Sequence, residues 1–389
     1  MAYIHRTIEK MLLRASHNFP ALILTGPRRS GKTTVLKRFF GKASYYLLED
    51  PDIIAQVKAD PRAFLDRIKL PVILDEIQNV PELLNYIRTR VDGAPRKTGQ
   101  WFITGSQEMS LMKGVSESMA GRAAIFHLLP FSIEETEKVS LICGAFPEVI
   151  SRPAAHRDWF RSYIQTYLER DVRSISSIRN LSTFRRFLAL LASRTGQVLN
   201  KTDLAAPLGV SIPTIAEWLN ILEVTAQIIL VPPFYENFGK RLIKSPKIYF
   251  MDSGLICYLL GIETEAMLHS SPFFGPIFES FVASEIVKHQ VNHGKEKALY
   301  YFRDQQGLEV DFVVSRGNNQ LILLEAKASK TVWPGDAAKM LTLRKSISKY
   351  SSDLYVIHLP SKQMPGTGVV NTGVGAIAFD KISSILSAK

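Results

Sequence analysis

Apolar residues in the first third of the chain gather in short runs bounded by turn residues: Ala21-Leu-Ile-Leu-Thr25, Pro71-Val-Ile-Leu-Asp75 and Trp101-Phe-Ile-Thr-Gly-Ser106. Runs of this length, ending in small or charged residues, predict buried strands, and Val35 to Phe40 after the first predicts a helix start. The rhythm changes in the middle third. Leu181 to Leu199 reads as a helix, Lys201 to Gly209 as a short helix closed by glycine, and Ser211 to Ile221 as a capped helix with Ile212, Ile215, Trp218, Leu219 and Leu222 on one side. Strands are predicted at Ile228 to Val231 and Lys247 to Met251, joined by the basic, Pro/Tyr/Asn/Gly-bearing segment Pro232 to Pro246. Three helices and a hairpin make the outline of a winged helix. The last third opens on an amphipathic helix from Pro276 to Val287. It continues with strands at Leu299 to Arg303, Leu308 to Val314 and Gln320 to Ala326, and a turn at Gly317 to Asn319.

The turn after the first strand carries chemistry. Gly26, Pro27, Arg28, Arg29, Ser30, Gly31, Lys32, Thr33 and Thr34 spell G-x-x-x-x-G-K-[ST] between a strand and a helix start. Successive backbone N–H groups of such a loop face nucleotide phosphates, Lys32 reaches the β- and γ-oxygens, and Thr33 can sit on Mg²⁺. ATP and Mg²⁺ are therefore the expected cofactors. Asp75 and Glu76 end the second strand, where Asp75 would hold the metal and Glu76 would polarise the attacking water. The plainer reading of that pair is a helix-capping aspartate followed by a first-turn glutamate. At the third strand Thr104 or Ser106 would sense the γ-phosphate, and Arg122 would reach a phosphate in this or a neighbouring subunit of a homo-oligomer. Ser106 reads equally as a turn cap.

The chain has 389 residues, 46% of them hydrophobic, which is too much for one average core and predicts two or three domains. Two cysteines, Cys143 and Cys257, exclude a disulfide framework and a four-thiolate zinc site. With no apolar run approaching about eighteen residues, the expectation is a cytoplasmic protein with no membrane span. The net charge of +12 is unevenly spread: residues 152–194 hold nine arginines against three acids, and Lys240, Arg241, Lys244 and Lys247 form a second patch. Solvated surface explains such patches as well as a partner does. If the middle segment docks on DNA, Ser211, Thr214 and Glu217 would face a groove while Lys240, Arg241 and Lys244 meet phosphates. A protein or RNA partner is the other reading of the basic surface. Asn200-Lys-Thr-Asp203 spells the guanine-reading N-K-x-D, but the residues before it are polar, and a helix N-cap at Asn200 or Thr202 explains it better.

In the last third Asp311 lies in one predicted strand and Glu325-Ala-Lys327 ends the next, so Glu325 and Lys327 share a face. Two carboxylates can hold Mg²⁺ against a scissile phosphate while the ammonium assists the hydrolytic water. Buried without such a function, the three would be a structural ion network.

These segments resemble the AAA-type P-loop ATPases of bacteria and archaea that carry a C-terminal region of obscure function. The resemblance covers nearly the whole chain through GPRRSGKTT at 26–34, LDEIQ at 74–78, ITGSQ at 103–107, AGR at 120–122, GAFPE at 144–148 and YLERDV at 167–172. It implies an ATPase architecture and leaves the biological substrate open. The D…E-x-K arrangement resembles the PD-(D/E)XK restriction-endonuclease-like core, which implies a further metal-binding carboxylate on the preceding helix, Glu279 or Glu285. The expected fold is α/β throughout: a P-loop domain over 1–135, a helical, winged-helix-like domain over 140–261, and a restriction-endonuclease-like α/β domain over 275–389. The expected function is an ATPase whose nucleotide state controls a DNA-engaging and DNA-cleaving half, or alternatively a nucleotide-gated scaffold with an inactive nuclease-like domain.

Overall fold

The computed structural model describes residues 3–94, 97–105, 119–168, 181–234, 244–361 and 367–387. Its contacts separate into two compact units. The first is Met1–Phe131 with Val224–Ala226 and Val291–Lys295, and the second is Ser132–Glu223 with Gln227–Gln290 and Glu296–Lys389.

The first unit is built on β1 (Ala21–Thr25), β2 (Ser44–Leu47), β3 (Val72–Asp75), β4 (Trp101–Thr104) and β5 (Ala123–His127), ordered β2-β3-β4-β1-β5. All pairings are parallel. The three expected strands are the three central ones. Their runs are continuously apolar because both faces are covered: Ala21, Ile23, Val72, Leu74, Trp101 and Ile103 enter one core cluster, and Leu22, Leu24, Ile73 and Phe102 enter the other. The edge strands β2 and β5 escape a hydrophobicity scan because each is only half buried.

In the second unit, helices at Leu181–Ala192, Lys201–Ala205 and Ile212–Val224 precede an antiparallel pair, β6 (Ile228–Val231) and β7 (Lys247–Phe250). Phe184, Phe187, Leu188, Trp218, Leu222 and Phe250 share their core. The first helix stops before the expected Leu199, because Gly196 takes φ +76° and Val198 turns to bridge Lys247. Ile212, expected on the apolar side of its helix, is 46% exposed in the first turn, whereas Ile215, Trp218, Leu219 and Leu222 are buried.

The helix Phe274–Asn292 follows, then β8 (Leu299–Arg303), β9 (Glu309–Gly317), β10 (Gln320–Lys327), β11 (Ser351–His358), β12 (Thr367–Asn371) and β13 (Val374–Ala378). They form a six-stranded sheet in the order β12-β13-β11-β10-β9-β8. β8, β9 and β10 are antiparallel neighbours, while β10, β11 and β13 run parallel. The long helix outruns its expected end at Val287 because Lys288, His289, Gln290 and Asn292 are buried polar residues that read as surface in sequence. The middle and C-terminal segments, expected as separate domains, fall in one unit. Phe234 N donates to Tyr301 O at 2.7 Å, Tyr301 N donates to Pro232 O at 3.1 Å, and Lys247 forms a buried ion pair with Glu279.

Asn200 caps the helix Lys201–Ala205, its Oδ1 accepting from Thr202 N at 3.0 Å and Asp203 N at 3.4 Å. Asn200→Ala should therefore cost about 1 kcal/mol in denaturant unfolding of the second unit. Nucleotide preference, measured by competition between ATP and GTP, is expected to stay unchanged.

Candidate functional site

The P-loop leaves the C-terminal end of β1. Gly26 takes φ +143°, and a Cβ there would lie 2.2 Å from Leu128 O, so no other residue fits. Arg29 and Gly31 also have positive φ, and the helix Lys32–Phe39 starts directly from Gly31. Pro27 and Ser30 are buried, Arg28 is half-buried, and Arg29 and Thr34 are exposed. Lys32 is 5% exposed, its Nζ donating to Gly26 O at 3.0 Å and Pro27 O at 2.9 Å. Ser30 is fully buried, and its hydroxyl has no hydrogen-bond partner. An ammonium resting on the loop's own carbonyls beside an orphaned hydroxyl fits a phosphate group.

Asp75 is 3% exposed at the end of β3 and accepts from three hydroxyls. Thr33 Oγ1 donates at 2.9 Å, Tyr45 OH at 2.8 Å, and Thr104 Oγ1 also donates to it. The Thr104 hydroxyl in turn accepts from Glu76 N at 3.1 Å, so one side chain couples the two acidic residues. Asp75 caps no helix. Glu76 takes φ +63°, a left-handed conformation that costs a non-glycine residue about 1 kcal/mol or more, and its carboxylate accepts from Gln78 Nε2. Burial first, then Asp75, raise the Tyr45 hydroxyl well above its usual pKa. Strand order explains the convergence, since β4 lies between β1 and β3 and carries Thr104 between the loop and the carboxylates.

In the second unit Lys327 Nζ lies 3.1 Å from Glu325 Oε1, and Asp311 Oδ2 accepts from Ala326 N at 2.9 Å. Glu325 Oε2 is buried with no hydrogen-bond partner. Glu279 joins this neighbourhood from the long helix. Of the two expected helical carboxylates, Glu279 feels the Asp311 charge, whereas Glu285 accepts from Lys288 Nζ and Ile133 N, both at 2.8 Å. Burial and then the Asp311 charge push the Glu279 and Glu325 carboxyls up to about 7. An orphaned buried oxygen among hard carboxylate donors fits a divalent cation. The three carboxylates do not, however, bring one oxygen each within 4.8 Å of one another.

A family model described as "AAA domain" matches residues 18–137. Two domains of unknown function, DUF8612 and DUF4143, match residues 135–266 and 274–375. The uncharacterized protein Rv2008c of Mycobacterium tuberculosis is 33% identical over 320 residues, covering 79% of this chain and 70% of that protein. Mb2031c of Mycobacterium bovis matches to the same extent. The chain belongs to the family of these mycobacterial proteins. Its AAA domain makes the first unit a P-loop nucleotide-binding layer. The uncharacterized protein MJ1544 of Methanocaldococcus jannaschii is 24% identical over 341 residues, covering 77% of this chain and 73% of that protein. Among solved structures, the Walker-type ATPase PABY2304 of Pyrococcus abyssi aligns with TM-score 0.43 and 16% identity, over 64% of this chain and 94% of that one. A point variant of RuvB from Thermotoga maritima aligns with TM-score 0.30 and 17% identity, over 58% of this chain and 89% of that one.

Other expected residues of this AAA-domain protein fall elsewhere. Arg122 is corrected as a same-chain finger: Ala21 N donates to Arg122 O at the start of β1, whereas the P-loop leaves the far end of that strand, roughly 13 Å away. Its guanidinium is paired with Asp92, with Nε–Oδ1 at 2.6 Å. Lys247 is corrected as a member of a surface patch, since it is 2% exposed and ion-paired. Ser211 and Glu217 are exposed, Thr214 is half-buried and hydrogen-bonded to Ser211, and Lys244 is exposed. Ser106, Arg170, Arg173, Arg179, Lys240 and Arg241 lie outside the described residues. Among the described residues no helix is long and apolar enough to cross a membrane.

Sequence reasoning passed over Tyr45, and it passed over Arg6 as well. Arg6, 4% exposed, donates to Ser30 O at 3.0 Å and Leu129 O at 2.6 Å, tying the P-loop backbone to the chain beyond β5. Its own backbone N donates to Glu9 Oε1 at 2.7 Å. No local motif announces either residue, because their partners are distant in sequence.

Glu279 and Glu325 hold protons more tightly folded than unfolded. Their contribution to stability is full below about 4.5 and is lost as pH rises through about 7. Scanning calorimetry of the metal-free protein should show the second unit's Tm falling over that window. The Glu279→Gln, Glu325→Gln double variant is expected to flatten the fall.

Proposed function

We propose that the chain is a Mg²⁺-dependent ATPase whose nucleotide state controls a DNA-engaging, nuclease-like second unit. The observation that carries the ATPase reading is the meeting of P-loop and strand carboxylate: Thr33 Oγ1 lies 2.9 Å from Asp75, and Thr104 bridges Asp75 to Glu76. Lys32 and Ser30 serve the phosphates, Thr33 and Asp75 would hold the metal, and Glu76 orients and deprotonates water. Bound Mg²⁺ neutralises phosphate charge. Arg122 is kept as a finger toward a neighbouring copy in a homo-oligomer.

The second unit is read as a winged helix followed by a restriction-endonuclease-like core, a three-part division that also suits the ranges of the three family models. Helices and an antiparallel pair in winged-helix order, with Ser211, Glu217 and Lys244 exposed, support DNA contact. Asp311, Glu325 and Lys327 on neighbouring strands, with Glu279 beside them, support metal-dependent phosphodiester hydrolysis. One observation favours the regulator without cleavage: the carboxylates lie apart, and Glu279 is already paired with Lys247 at 3.1 Å.

Lys32→Ala is expected to abolish ATP binding, measured by fluorescent-nucleotide titration. Glu76→Gln should keep binding and lose turnover by about 100-fold or more. Undiminished hydrolysis in Glu76→Gln, or wild-type turnover in excess EDTA, would remove the assigned roles.

For the second unit, supercoiled and linear DNA are incubated with Mg²⁺ or Mn²⁺, with and without ATP. Cleavage lost in both Asp311→Asn and Lys327→Ala, with ATPase unchanged, is the expected result. No cleavage by the wild type under any nucleotide state establishes the scaffold reading.

A further inference from the structure

Lys247 stands at an unusual place for a lysine from the middle segment. Its Nζ lies 2.6 Å from Glu309 Oε1 and 3.1 Å from Glu279 Oε1, and the Asp311 charge acts on it as well. The same Glu279 oxygen accepts from the Tyr249 hydroxyl. Both donors come from β7. That strand is held on one side by the segment around Gly196, with Gly196 N donating to Ile248 O and Leu199 N to Pro246 O, each at 2.8 Å. On the other side Tyr301 OH donates to Ser245 O at 2.6 Å. Gly196 keeps this closure tight, since a Cβ there would lie 3.2 Å from Glu279 Oε2.

Asp311, whose charge acts on this ammonium, also acts on Glu325, and there the carboxylate cluster keeps one oxygen unsatisfied, the buried Glu325 Oε2. An ammonium and a divalent cation seek the same hard oxygens, and two cations on one carboxylate oxygen repel each other strongly where water is excluded. We propose that Lys247 is a tethered cation that competes with a divalent metal for the Glu279–Asp311–Glu325 face, so that metal loading of the C-terminal sheet is coupled to the seating of the β6–β7 pair. The inference rests on the metal-site reading given above. It adds that the seating of β7 governs access to that face: metal enters as Lys247 withdraws, and a seated Lys247 keeps metal out.

The test is Mn²⁺ titration of the metal-free, nucleotide-free full chain, with free Mn²⁺ followed by electron paramagnetic resonance. Wild type, Lys247→Met, Lys247→Gln and Lys247→Arg are each measured with and without Asp311→Asn, and folding is checked by circular dichroism. Lys247→Met should bind Mn²⁺ at an Asp311-dependent site at least about tenfold more tightly than wild type, while Lys247→Arg stays at the wild-type value. Lys247→Gln keeps hydrogen bonds without the charge and gives the same reading if the Met variant does not fold. Equal Asp311-dependent affinity in wild type and both neutral variants, or weaker binding in those variants, overturns the competition and leaves the metal site standing. Absence of any Asp311-dependent site in every variant overturns the metal-site reading, and the inference with it.

Discussion

Asp75 is where four elements of the first unit are joined. Its carboxylate, at the end of β3, takes hydrogen bonds from Thr33 in the P-loop helix, Tyr45 in β2 and Thr104 in β4. Hydrogen bonds to a charged acceptor contribute about 1.5–3 kcal/mol each, and leaving a buried carboxylate without them costs at least as much. The parallel order β2-β3-β4-β1 makes this meeting possible, because it brings the C-terminal ends of all four strands to one edge. The loop's conformation, the left-handed turn at Glu76 and the register of β2 therefore depend on a single negative charge in a site nearly closed to solvent.

The second unit manages buried charge in a different way. Lys247 and Glu325 are buried, with Glu279, Glu309, Asp311 and Lys327 half-buried around them, and hydrophobic residues would pack at the two buried positions at lower cost. The lysines do not neutralise the set evenly: Glu325 keeps an unpaired oxygen, while Glu279 is held by two donors at once. That unevenness is what the proposed metal-site reading rests on.

The central strands, the P-loop and the Asp75–Glu76 pair were legible because each is a local pattern: an apolar run, a glycine-spaced turn, two acids at a strand end. The same holds for the Gly317–Asn319 turn, all three residues of which have positive φ. What stayed hidden depended on distant partners. Edge strands β2 and β5 carry too little burial to show alternation clearly. Lys247 counted as one basic residue among several until its neighbours, Glu279 and Glu309, came from elements beyond the middle segment. Arg122 matched a motif in spelling, but only the fold showed at which end of the sheet it lies.

The guanidinium of Arg6 carries a consequence for where the nucleotide-binding layer begins. Its two carbonyl partners are 24 and 123 residues away, so it clamps the loop from outside the AAA-domain match, which starts at residue 18. A fragment cut at that similarity boundary would contain every residue of the phosphate motif and still lack the clasp that fixes the carbonyl of Ser30. The matched stretch and the mechanical unit around the loop are therefore of different lengths, and the residues just ahead of the first strand belong to that unit.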